Sequence, residues 1–357
     1  MRSTPLALLA TTDPVLRECA AFDLVVSEPG TVALVHTLSE DATAVRRVVI
    51  DANGVISDRW HVLDDGCFSC GIAGDAVNAL EEIISMMWPH ALAYFPPLAI
   101  DPLPLSRVVN EACQDGGLSA HLSSVSAVVD TTAAVEDLLE PITLEERRIA
   151  SDAPERSIGE AILAQISVAD LIVAHGGDGP GGELVEHLRA HDTLLTGDLH
   201  DGDVHPLLFG GEHSAAAALA RVDPRGVQPW GGPSEYGTWT LDLASTRPFH
   251  PARLLDNIEL LGAGRLVHRG RFWVPTRPGT ICSWEGAGGQ VSVGVVGSHP
   301  VPAEVSTRLV ICGNGDERER LQRAFADSLL TDEELTRDPR SWEATSDELE
   351  PWLGAVS

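Results

Sequence analysis

Two cysteines three positions apart, Cys67 and Cys70 in HVLDDGCFSCGIAGD (61–75), are the only paired thiols in the sequence; the other four, at 19, 113, 282 and 312, are scattered. That scatter argues against a disulfide framework. Two thiolates across a tight turn suit tetrahedral zinc, which takes four soft or borderline ligands. Gly66 and Gly71 flank the pair and let the backbone fold around an ion. Two buried structural thiols, or a redox dithiol opening a helix, are the other readings. No second CxxC exists, so further donors come from His61, Asp64 and Asp65 nearby, or from Cys113 and His36 through the fold. A site with only two cysteines holds metal exchangeably, as a sensor requires.

A second group lies in HDTLLTGDLHDGDVHPLLFGGEHS (191–214), where His200, Asp203 and His205 are spaced to hold a metal through imidazole and carboxylate. Turn chemistry accounts for the same Asp and Gly residues. Arg265, Arg269 and Arg271, with His268, form a basic cluster that reads either as a solvated strand face or as a phosphate-contacting patch. His250, ahead of Pro251, is placed to cap or underlie a helix.

All 24 basic side chains are arginine, and 53 acids give a net charge of −29. A field of that sign disfavours direct nucleic-acid binding outside the arginine cluster. The longest apolar stretch falls short of the roughly 18 residues a membrane helix needs, and the apolar run before Asp13 and Pro14 is too short for a signal peptide. A cytoplasmic protein with no membrane partner is expected.

The elements that must position these groups come in two styles. Strands are expected at 6–13, 31–38, 46–51, 91–100, 126–132, 168–178 and 191–199, with helices such as 74–90 and 156–166 between them. Short apolar strands alternating with helices imply a parallel sheet covered on both faces. After the Gly/Pro-rich 222–237, strands at 238–245, 265–276, 280–288, 290–298 and 307–314 combine with helices at 251–262 and 316–335 in a smaller α+β unit with helices on one face. Residues 336–357 are acidic, carry Trp342 and Trp352, and show no core periodicity. They read as mobile, or as an anchor in a groove of a basic partner.

RPFHPARLLDNI (247–258), RGRFWVPTRPGTICSWEGAGGQVSVG (269–294) and RLVICGNGDERERLQRAF (308–325) resemble the C-terminal domain of the CobW family, P-loop GTPases implicated in metal delivery. GCFSC (66–70) is similar to that family's metal-binding cysteine motif, and LAQISVADLIVAHGGD (163–178) to the stretch leading into its guanine motif. The resemblance implies a degenerate P-loop GTPase-like parallel-sheet domain over 1–221, a linker over 222–237, a CobW C-terminal domain over 238–335 and an acidic tail over 336–357.

The departures are as informative. A P-loop needs glycines and a lysine to cradle phosphates, but TTDPVLRECAAF (11–22) follows the first strand, and the chain has no lysine. Of the guanine motif only Asp178 remains, as a vestigial acceptor. GTP hydrolysis is therefore not expected, and enzymatic activity is doubtful. A CxxC in a CobW-like chain resembles the family's actinobacterial, zinc-regulated members that recruit a ribosome-hibernation factor. That likeness implies zinc as cofactor, with the hibernation factor and the small ribosomal subunit as partners under zinc limitation. The alternative is a GTP-dependent zinc metallochaperone.

Overall fold

The computed structural model describes residues 3–63, 67–198, 204–298, 306–338, 341–342 and 347–354. The first unit opens with β1 (Thr4–Ala10), α1 (Pro14–Ser27), β2 (Thr31–Leu38), β3 (Ala44–Asp51) and β4 (Gly54–Val62). It continues with α2 (Phe68–Met87), β5 (Ala91–Phe95), α3 (Pro102–Gln114), β6 (Ala120–Asp130), α4 (Ala134–Leu139), α5 (Ile158–Val168), β7 (Leu171–His175), α6 (Pro180–Leu188), β8 (Leu194–Thr196), α7 (Val204–Phe209) and α8 (Ala215–Val222). The eight strands form one sheet in the order β4-β3-β2-β5-β1-β6-β7-β8. Six run parallel, while β3 and β4 extend one edge as an antiparallel hairpin.

Helices cover both faces, as a parallel sheet demands. Leu16, Ala20 and Leu24 of α1 pack with Leu208 of α7 on one side. Ala76, Leu80 and Ile83 of α2 pack with Leu105 and Val109 of α3 on the other. The expected strands at 91–100 and 168–178 are shorter than read. Pro96 and Pro97 end β5 because neither can donate to a ladder, and Gly176 and Gly177 turn the chain after β7 at positive φ.

The second unit comprises β9 (Trp239–Ser245), α9 (Pro251–Gly262), β10 (Leu266–Phe272), β11 (Thr280–Ala287), β12 (Ser292–Ser298), β13 (Thr307–Gly313), α10 (Arg318–Ser328), α11 (Asp332–Leu335) and α12 (Glu350–Leu353). Its five strands form an antiparallel sheet, β12-β11-β10-β13-β9. One face packs on α9 and α10 through Phe249, Phe272, Trp284 and Phe325. The other face is not open, because Val267, Ala287 and Cys312 join the core built by Ala161, Ile162 and Leu184 of the first unit. The chain is thus a mostly parallel α/β unit followed by a smaller antiparallel one, as expected. Residues 222–237 are held to the body: Glu183 accepts from the N–H groups of Tyr236 and Thr238, and the His187 ring meets Pro233 O and Thr240 Oγ1 at 2.7 Å each.

The tail corrects its sequence reading. Asp347 forms an enclosed ion pair with Arg277, and Leu349 and Leu353 enter the second unit's core. Trp342 is buried and stacks edge-on against His250. The described tail is therefore anchored on its own domain through Trp342, Asp347, Leu349 and Leu353, while Trp352 is exposed. Sparse anchors rather than a periodic stripe hold them, which is why periodicity gave no sign of it. Among the described residues no helix is long and apolar enough to cross a membrane.

Candidate metal and nucleotide sites

Cys67 is the N-cap of α2 and Cys70 lies in its first turn, so the pair opens a 20-residue helix rather than spanning a tight turn. The Cys67 carbonyl accepts the first helical hydrogen bond, from Gly71 N at 2.9 Å. Both thiols are exposed. The Cys67 sulfur makes no cap hydrogen bond to the helix. Even so, the facing Cys70 thiol, and after it the N–H groups of Cys70 and Ser69, hold the Cys67 pKa below the ordinary thiol value; the same contact raises Cys70.

The helix is fixed from its buried side. Ile72, Ala73, Ala76, Ala79, Leu80, Ile83 and Ile84 face the core. Arg47 of β3 grips Asp75 through Nε–H at 2.8 Å and a second N–H at 2.5 Å. His36 of β2 places Nε2 3.4 Å from Asp75 and Nδ1 3.1 Å from the Tyr94 hydroxyl. The bidentate Arg47–Asp75 pair ties α2 to the sheet. The sequence reading missed Arg47 and Asp75, whose only sign was Asp75 falling on the apolar side of the helix.

The proposed further ligands separate. His36 is fully buried, hydrogen-bonded to the Tyr94 hydroxyl, and burial pushes its pKa down to about 3, so it sits in the core rather than with the exposed thiols. Cys113 sits half-buried against the core on α3, its thiol pushed up to about 11 by burial. Neither reaches Cys67 without breaking that packing. His61 is on β4, lining a groove with Ile56, Glu82 and Met86. Asp64 and Asp65 lie outside the described residues, as do His200 and Asp203. His205 packs on Phe209 and faces Glu28 at 3.9 Å. Among the described residues no group of three or more metal-capable side chains forms. Among the described residues, the donors brought together are two adjacent, solvent-facing thiols, a ligand type that suits zinc.

At the end of β1 only Thr11, Thr12 and Asp13 precede α1. A phosphate would be held here by the free N–H groups of the helix start. Asp13 already occupies them, its Oδ1 accepting from Val15 N at 2.7 Å and Leu16 N at 2.9 Å. Beside it, a cavity of about 220 Å³ is lined by Asp13, Asp130, Asp137 and Arg147. Arg147 is committed to Asp137 and Glu136. Burial, opposed by Arg147 and reinforced by Glu136, Asp130 and Asp13, lifts Asp137 to about 6. The place where a polyphosphate would gather cations is an acidic pocket. Asp178 is exposed on the loop after β7, lining an open hollow with Glu235 and Tyr236.

The arginines of the cluster all have partners within the protein. Arg265 pairs with Glu140 of the first unit, Arg269 stacks on Trp230 at 3.4 Å, and Arg271 donates to Pro224 O and Ser306 Oγ. His268 is fully buried on the opposite face. Alternation along β10 explains the split. His250 caps α9, accepting from Arg253 N.

Residues 238–329 match the model described as the cobalamin synthesis protein CobW C-terminal domain. A Mycobacterium tuberculosis protein named zinc chaperone Rv0106 is 23% identical over 98% of this chain and 93% of its own length. An uncharacterized Mycobacterium bovis protein, Mb0109, matches to the same extent. The zinc-bound YjiA GTPase of E. coli aligns over 92% of this chain and 100% of its own, at 14% identity and a TM-score of 0.39.

Proposed function

Because the chain is a CobW-family protein, we propose that it handles zinc through Cys67 and Cys70, as a cytoplasmic zinc-responsive adaptor that binds partners without hydrolysing GTP. The exposed thiol pair at the start of α2 carries this reading. Two thiolates anchor zinc, and the missing donors come from solvent, from neighbouring side chains or from a partner, so occupancy follows the free zinc level. Asp13 and the acidic cavity beside it support the absence of turnover, since phosphoryl transfer needs cations around the phosphates.

The partners we assign are a ribosome-hibernation factor and the small ribosomal subunit, engaged when zinc is scarce. Their support is the resemblance of a CxxC-bearing CobW chain to actinobacterial recruitment factors. One observation favours a second reading, a zinc chaperone that loads a client: the full-length Mycobacterium tuberculosis relative bears that name. Neither reading places its partner on Arg265, Arg269 and Arg271.

Equilibrium titration with zinc tests the common core. Wild type takes up zinc, and at a hundredfold excess over Kd gains about 2.7 kcal/mol of folding stability. The Cys67→Ser, Cys70→Ser double variant folds but gains nothing. Equal zinc stabilisation of both proteins removes the reading. Affinity capture from zinc-starved cells separates the two roles: small-subunit proteins support the adaptor, and a zinc enzyme alone supports the chaperone.

A further inference from the structure

We infer that Cys67 and Cys70 are also a dithiol–disulfide switch, in which a small-molecule disulfide of the glutathione class closes the pair and removes the zinc-binding thiols. The argument rests on placement. A cysteine at the helix cap and another three residues on, with a rise of 1.5 Å per residue, stand about 5 Å apart at Cα. A disulfide spans about 4.4–6.8 Å, so closure needs side-chain rotation and no movement of α2. Both thiols face solvent. The helix behind them is tied down by Asp75 on Arg47 and by its core face.

No other thiol in the chain is arranged this way. Cys282 and Cys312 are buried, Cys113 is half-buried, and Cys19 is exposed on α1. Cys19 has no cysteine three or four residues away on its helix, and so serves as an internal control.

The chemistry balances in two exchanges. The Cys67 thiolate attacks one sulfur of the disulfide RSSR. That S–S bond breaks, a Cys67–S–SR bond forms, and RS⁻ leaves to take a proton. The Cys70 sulfur gives its proton to solvent and attacks the Cys67 sulfur, and the second RS⁻ departs as RSH. Two protein thiols are oxidised and one RSSR is reduced to two RSH. The oxidised pair offers zinc no thiolate, so thiol oxidation and zinc depletion reach the adaptor as one input. This link rests on the zinc reading proposed above; the disulfide itself does not.

The test uses the full-length, metal-free, reduced protein with oxidised glutathione, followed by alkylation, intact mass and peptide mapping. The expected product has a Cys67–Cys70 disulfide, with the loss of two hydrogens, and a glutathione adduct on Cys19. In Cys67→Ser, Cys70 retains glutathione instead, because no neighbour resolves it. One equivalent of zinc slows closure in wild type by at least about tenfold, because a metal-bound thiolate is a poorer nucleophile. Separate glutathione adducts on Cys67 and Cys70, disulfides between chains, or unreacted thiols at both positions overturn the switch, even where zinc binding is intact. Closure at an equal rate with and without zinc overturns the coupling to zinc and leaves the disulfide standing.

Discussion

Asp13 does at the start of α1 what a bound phosphate does in a nucleotide site, placing negative charge on free N–H groups. Removing it exposes those groups: Asp13→Ala is expected to cost about 0.5–2 kcal/mol in urea unfolding, and Asp13→Asn much less. His268 gives a second test at this scale. It is 0% exposed, and burial pushes its pKa down to about 4. The unfolded chain, with histidine near 6.5, therefore binds more protons between pH 6.5 and about 4. Stability contributed by neutral His268 is complete above pH 6.5 and is lost as pH falls through that window, on the order of 3 kcal/mol in all. His36 acts in the same direction, while Asp137, raised to about 6, acts in the opposite direction to both and offsets part of the loss. His268→Leu should flatten the acid limb of stability against pH, read by denaturant midpoints from pH 7 to 4. An unchanged limb contradicts the assignment.

Elements with strong periodicity and clear stops were legible. Leu254, Leu255, Ile258 and Leu261, between Pro251 and Gly262, placed α9 at its observed bounds, and TVALVHTL placed β2. Less legible were elements whose identity is decided by neighbours. β4 is an edge strand, mostly solvent-facing, with Val55, Trp60 and Val62 exposed, so its sequence lacks a buried alternation; the hairpin turns at Ala52 and Asn53, ahead of Gly54. The helix expected at 74–90 begins at Phe68, because Cys67 is not a common cap residue and the thiols hid the boundary. At the site, the cysteines were legible from spacing. The burial of His36 and the commitment of Arg47 and Asp75 were not, since each depends on strands distant in sequence. The docked tail belongs to this scale too. Arg277 and Asp347 side chains are 4% and 2% exposed. Burial alone would raise Asp347, yet Arg277, the Leu349 N–H and Thr276 hold it below the usual carboxylate range. Asp347→Ala strands a buried guanidinium, an expected cost of about 3–5 kcal/mol, and frees residues around Trp342 to limited proteolysis. A tail equally resistant in that variant argues against the latch.

On the whole-molecule scale, charge and packing point the same way. A net charge of −29 without any lysine sets a field that repels polyphosphates, and the arginines that composition left as candidates are engaged within the protein, Arg265 with the first unit and Arg269 and Arg271 with the connecting segment. The shared core of Ala161, Ile162, Val267, Ala287 and Cys312 seats the second sheet directly on the first unit. That face is interior, whereas the thiols proposed to hold zinc stand exposed at the start of α2. The claim that binding has replaced turnover is tested most directly by titrating the zinc-free and zinc-loaded protein with magnesium-GTP in a calorimeter while assaying phosphate release. The account predicts no saturable heat and no phosphate above the buffer rate in either form. Micromolar binding followed by steady-state phosphate release would contradict it.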